Sequence, residues 1–103
     1  MNPEQQRIAI AEACGWTNIR WNGVRYNWVG HRPETARDDY ALPDYLNDLN
    51  AMHDAEKTMG DAQLWVEYQS YLSDAMEHVG WLYHATAAQR AKAFLKTLNL
   101  WKP

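Results

Sequence analysis

Apolar residues recur every three or four positions in four stretches of the chain and alternate with polar ones in a fifth, a pattern of helices with one strand pair. The first helix is framed at both ends. Asn2 is placed as N-cap, Pro3 at the first helical position, Gln5 as capping-box partner and Gly15 as the stop, with Ile8, Ile10, Ala11 and Cys14 on the buried side. Beyond it the period changes to two. Ile19, Trp21, Val24, Tyr26 and Trp28 flank Asn22-Gly23, the strongest short hairpin signal, which predicts a β-hairpin over about residues 17–29. A two-residue loop sets Trp21 against Val24, Ile19 against Tyr26 and Thr17 against Trp28 on one face. On the other it sets Arg20 against Arg25 and Asn18 against Asn27.

From Gly30 to Leu42 no period persists and the charge is mixed, which reads as a loop. Pro43 opens a second helix with Tyr45, Leu46, Leu49, Met52, His53 and Met59 inward and Asp44, Asn47, Asp48 and Asp54 outward, ending before Gly60. Residues 61–79 carry Leu64, Trp65, Tyr68, Tyr71, Leu72, Ala75, Met76 and Val79 at helical spacing. The alternation Leu64/Val66/Tyr68 keeps a strand in reserve. A capping box at Thr86 and Gln89 starts the last helix, with Ala91, Phe94, Leu95 and Leu98 as its apolar stripe, Arg90, Lys92 and Lys96 on the polar side, and Trp101 as an anchor after it. Because an isolated hairpin is marginal in water, its apolar face must lie against helices. The expected fold is therefore α+β: an N-terminal helix, a hairpin and three helices packed on it.

Length confines this arrangement to a single domain over residues 1–103. With 47% hydrophobic and 22% charged residues, disordered and fibrous classes are excluded. No apolar run reaches the roughly 18 residues of a membrane span, and the N-terminus lacks the basic and apolar regions of an export signal, so a soluble cytoplasmic protein is expected. Cys14 is the single cysteine and reads as a small core residue, so neither a disulfide nor a zinc site is available as a staple.

The net charge of −3 conceals strong asymmetry. Four arginines and one glutamate make residues 16–37 basic by +3, whereas ten acids and Lys57 make residues 38–77 acidic by −9. Three lysines and one arginine without an acid make residues 78–103 basic by +4. Internal neutralisation is the plain explanation. Against it stands the Arg20/Arg25 pair, since like charges facing each other across a hairpin are destabilising unless an anion lies between them. With Arg32, Arg37 and His31 in the next loop, and Trp16 and Tyr40 able to stack on a base, the strip has the composition of a nucleotide-like ligand site. The competing expectation is that Asp38, Asp39 or the Asp44/Asp48 pair folds back onto the arginines.

Other chemistry is sparse. His53 and Glu56 share a helix face, and without a third ligand they read as a hydrogen-bonded pair at the edge of the core rather than a metal centre. His78 and His84 show no ligand spacing, and the glycines form no phosphate loop. No catalytic set, metal or cofactor is implied. Trp65, Tyr68, Tyr71 and Phe94 are assigned to the core, while Trp16, Tyr40, Tyr83 and Trp101 at element ends are free to meet a ligand or partner chain.

Three blocks, Ile8 to Trp16, Leu42-Pro43-Asp44-Tyr45 through His53, and His84 through Trp101, are similar to small phage and prophage proteins of the phage ABA sandwich domain family. The resemblance covers about half the chain. It implies an architecture and a phage setting, hence the host cytoplasm, and carries no assigned activity or site residue. Small phage proteins of this kind act by binding. The leading expectation is a non-enzymatic protein that counters host antiviral defence by sequestering an anionic nucleotide-like signal through Arg20, Arg25, Arg32 and Arg37 with Trp16, His31 and Tyr40. The alternative is an inhibitor of a host defence protein that engages it through Asp44 and Asp48, with Trp101 as a partner contact. Acidity counts against duplex DNA, no membrane partner is expected, and the charge blocks allow a head-to-tail homo-oligomer.

Overall fold

A computed structural model of the chain describes residues 1–76 and 85–103, with the side chains of 35–37, 75 and 76 left aside. Its elements run α1 (Pro3–Ala13), β1 (Thr17–Asn22), β2 (Asn27–Arg32), β3 (Thr35–Ala41), α2 (Leu49–Glu56), α3 (Ala62–Met76) and α4 (Ala87–Thr97). The fold is α+β, as the periodicities predict. Both capping boxes form: Gln5 N donates to Asn2 Oδ1 at 2.7 Å and Asn2 N to Gln5 Oε1 at 3.0 Å, and Thr86 and Gln89 reciprocate at 2.8 and 3.1 Å. Gly15 ends α1 in the left-handed region at φ +95°.

The hairpin departs from expectation in register. Trp21 pairs with Trp28, Asn22 with Asn27 and Arg20 with Val29, so the connecting loop holds four residues, Gly23 to Tyr26. Asn22 Oδ1 accepts from the backbone N–H groups of Val24 at 3.0 Å and Arg25 at 3.2 Å, a local turn that competes with the tight Asn-Gly bend. The wider loop also brings the two indoles edge to face, with centroids 5.8 Å apart, a contact the tight turn would forgo. Positive φ falls on Tyr26, at 53°, and on Asn18, at 51°, within the irregular stretch of β1 between Thr17 and Arg20.

The expected loop after Gly30 contains the third strand. Pro33-Glu34 makes the bend, and β3 pairs antiparallel with β2 through Gly30–Tyr40 and His31–Asp39, giving the order β1-β2-β3. Asp38 and Asp39 broke the alternation that marks a strand because β3 is an edge, where charged side chains suit solvent and discourage further pairing.

The second helix is shorter than expected. Residues 44–48 form a separate turn in which Asp48 N donates to Asp44 O at 2.8 Å. Asp48 is then the N-cap, its Oδ1 accepting from Asn50 N at 2.9 Å. A capping carboxylate outcompetes Pro43 as the start signal because it satisfies a helix-end donor. Residues 62–76 are helical, but only part of their stripe is core: Tyr68 and Leu72 are buried, whereas Trp65 and Tyr71 are each over a third exposed. Trp65 turns outward to donate its indole N–H to Met59 O at 2.7 Å.

Helix α4 is central and touches each of the other helices. Its Phe94 and Leu95 are fully buried with Ile10 of α1 and Met52 of α2, each such side chain contributing about 1.5–3 kcal/mol. Arg90, expected on the polar side, is instead buried. Its Nη1 lies 3.3 and 3.4 Å from the carboxylate oxygens of Glu56, and its Nε donates to Ala85 O at 3.2 Å. The α2 carboxylate and the Ala85 carbonyl supply acceptors for its fork of donors.

Candidate functional site

The arginine strip does not assemble as expected. Arg20 faces Val29 rather than Arg25, and its guanidinium bonds Asp39 Oδ2 and donates to Asn18 O at 2.9 Å. The gap expected between two cations is thus filled by a carboxylate from β3. Asp39 also lies 3.1 Å from His31 Nε2, which is 3.3 Å from the Asn18 amide. The hydrogen bond from Arg20 holds the Asp39 carboxyl below its ordinary 3.8, with the charges of Arg20 and His31 adding to the effect. Arg32 stacks on Tyr40, 4.2 Å from the ring centroid, away from Arg20. Trp16 is 8% exposed and belongs to the core, its ring lying so near β2 that a Cβ at Gly30 would be 3.4 Å from it. Arg25 stands alone in the hairpin loop, and the Arg37 side chain lies outside the described residues.

The acidic candidates have structural work of their own. Asp44 accepts from Asn47 Nδ2 at 3.1 and 3.2 Å, and Asp48 caps α2. Trp101 is half-buried beneath the Lys92 ammonium, 5.1 Å from its centroid. His53 Nδ1 lies 3.2 Å from Glu56 Oε1, the pairing its spacing predicts. Among the described residues no three His, Cys, Asp or Glu side chains lie close enough together to hold a metal ion. His78, Tyr83 and His84 lie outside those residues.

What the fold does build is an open cleft of about 640 Å³ where the end of α1, the β2–β3 bend and α2 meet. Trp16, Tyr45 and Cys14 line its inner wall. Glu34, Asp48 and Asp54 stand around it; among the described residues Arg32 is the one cation in the lining, and Lys57 Nζ, just outside it, lies 3.2 Å from Asp54 Oδ1. Packing at Gly15 fixes the bend: a Cβ there would lie 3.2 Å from Pro33 Cγ, so only glycine lets Pro33-Glu34 come so close to the end of α1. Burial pushes the Cys14 thiol above 9.0, opposed by the Thr58 and Tyr45 side chains beside it, and burial likewise raises the Tyr45 phenol. Both therefore stay neutral near pH 7, leaving the three carboxylates, Arg32 and the Lys57 beside Asp54 to set the field.

No family model, no curated protein and no solved structure matches the chain. Function rests on its own geometry. The cleft draws Trp16 and Arg32 from the expected ligand strip and Asp48 from the expected partner surface, two groups of residues that the sequence kept apart. It adds Glu34, Asp54 and Tyr45, which carried no signal: Glu34 read as one charge in a loop, Asp54 as a solvated helix position and Tyr45 as core. Three carboxylates against Arg32 and the Lys57 paired to Asp54 leave the cleft acidic by one charge, which disfavours a phosphate and favours a guanidinium or ammonium group.

Proposed function

We propose that the protein is a non-catalytic binding module that takes a cationic side chain of a protein partner into the cleft between α1, the β2–β3 bend and α2. In the phage setting that the resemblance implies, the partner is a host protein, one of host defence included, bound in the host cytoplasm. One observation carries the reading: Glu34, Asp48 and Asp54 surround a cleft backed by Trp16 and Tyr45, against Arg32 in its lining and an exposed Lys57 paired to Asp54. A single exposed ion pair contributes at most about 1 kcal/mol. Three acids acting together on one cation beside the apolar floor of the cleft exceed what one such pair supplies and form a usable anchor.

The test is titration calorimetry with an arginine-rich peptide and its citrulline counterpart, which keeps the shape and loses the charge. The arginine peptide is expected to bind about tenfold more tightly or better, a difference of about 1.4 kcal/mol. Raising salt should erode that difference, and the double variant Glu34→Arg/Asp54→Lys should abolish it. Equal affinity for the two peptides would refute the reading.

A further inference from the structure

The one described arginine without a partner is Arg25. Arg7 donates to the carbonyls of Leu42 and Pro43, Arg20 to Asp39, Arg90 to Glu56, and Arg32 lies over Tyr40. Arg25 sits in the loop between β1 and β2 among the most exposed apolar side chains of the protein: Val24 at 89%, Tyr26 at 79% and Trp21 at 49%. Tyr26 is held at φ 53°, a left-handed conformation that a bulky residue adopts at a cost, and its ring gains almost no burial in return. An exposed aromatic residue in a strained conformation, beside an unpaired guanidinium, has the character of a contact surface without its counterpart.

The counterpart is present on the same molecule, but out of its reach. Strand β2 runs from Asn27 beside the loop to Arg32 at the cleft, so loop and cleft lie at opposite ends of a six-residue strand, roughly 17–20 Å apart. We propose that the hairpin loop of one copy docks in the acidic cleft of a second, Arg25 meeting Glu34 and Asp54 while Tyr26 and Val24 cover the cleft's apolar margin. Charge complementarity selects this occupant: the loop carries an arginine and exposed aromatics, and the cleft carries Glu34 together with Asp54, whose exposed pairing with Lys57 an incoming guanidinium can displace. Because the two surfaces differ, the contact is heterologous and repeats head to tail, closing into a ring or extending as a chain of subunits. The inference rests on the cleft being a cation site, as proposed above, and names the chain's own Arg25 as a ligand that an external partner would displace.

Sedimentation velocity over a concentration series tests it. The contact is small, so association is expected only at high concentration, near roughly 0.1 mM. Arg25→Glu, in a solvated loop, should raise the concentration needed at least tenfold. Glu34→Arg/Asp54→Lys should do the same, since both carboxylates are exposed and Asp48 keeps the α2 cap. Mixing the two charge-reversed proteins should restore association, because each loop then faces a cleft of opposite sign. Tyr26→Gly should weaken association without loss of thermal stability. A wild-type protein that stays monomeric, an Arg25→Glu protein that associates as wild type does, or a mixture that fails to associate would each overturn the docking. The cation site is judged separately, by titrating the arginine-rich peptide into Arg25→Glu, whose cleft is intact: binding there keeps the site even if self-docking fails, and no binding removes both.

Discussion

Replacing Glu56 by alanine should be the most damaging single charge removal in the protein. The carboxylate is 6% exposed and lies 3.3 and 3.4 Å from Arg90 Nη1, whose side chain is 8% exposed. It also lies 3.2 Å from His53 Nδ1. Alanine takes away a buried carboxylate that meets the guanidinium twice and His53 once, and breaking a buried pair from one side costs about 3–5 kcal/mol. Against a total stability of about 5–15 kcal/mol for a domain of this size, that is a large fraction. At about 4–8 °C per kcal/mol, the midpoint of thermal unfolding should fall by roughly 12 °C or more. Urea titration followed by circular dichroism would measure it. The double variant Glu56→Met/Arg90→Met removes both charges and keeps the volume, so it should be more stable than Glu56→Ala despite carrying two changes. His53→Ala, at the exposed end of the network, should cost less than about 1 kcal/mol. If Glu56→Ala loses no more than an exposed pair would, about 1 kcal/mol, the pair is solvated and the reasoning fails.

Two further outcomes follow from the sheet and its contact with α1. Asp39 should titrate below 3.8 in the folded protein, as read from its carboxyl carbon by NMR, and Arg20→Gln should return it toward that value. Since its folded pKa lies below the unfolded one, this carboxylate's contribution to stability is complete above the unfolded value and fades as pH falls through the folded one. A titration at or above 3.8 would contradict the ion pair. Gly15→Ala should destabilise by about 1–2 kcal/mol, because φ of +95° disfavours any Cβ and Pro33 Cγ would stand 3.2 Å from it. Gly23→Ala, with negative φ and no atom within 4 Å of the added carbon, should change stability by less than about 0.5 kcal/mol in the same urea assay.

Helix ends were legible because they are local chemistry. Asn2 and Gln5, Thr86 and Gln89, and the stop at Gly15 each act within a few residues, and so do the stripe of α4 and the His53–Glu56 pairing. These features, and the α+β character they add up to, are properties of the chain taken by itself. Pairing across distance was not legible. The hairpin register was settled by Trp21 against Trp28 and by the Asn22 turn, both worth more together than the Asn-Gly preference that the linear order advertises. β3 was hidden because an edge strand carries charge where a central one would carry alternation. Arg90 looked like a surface residue until Glu56, thirty-four positions away, was brought beneath it. The cleft is the clearest case. Glu34, Asp48 and Asp54 are unremarkable acids along the chain, and only the packing of Pro33 on Gly15, with α2 alongside, turns them toward one volume. Propensity and capping decide short-range structure because their partners are neighbours. The field that selects a ligand is a sum over residues that only the folded backbone makes neighbours.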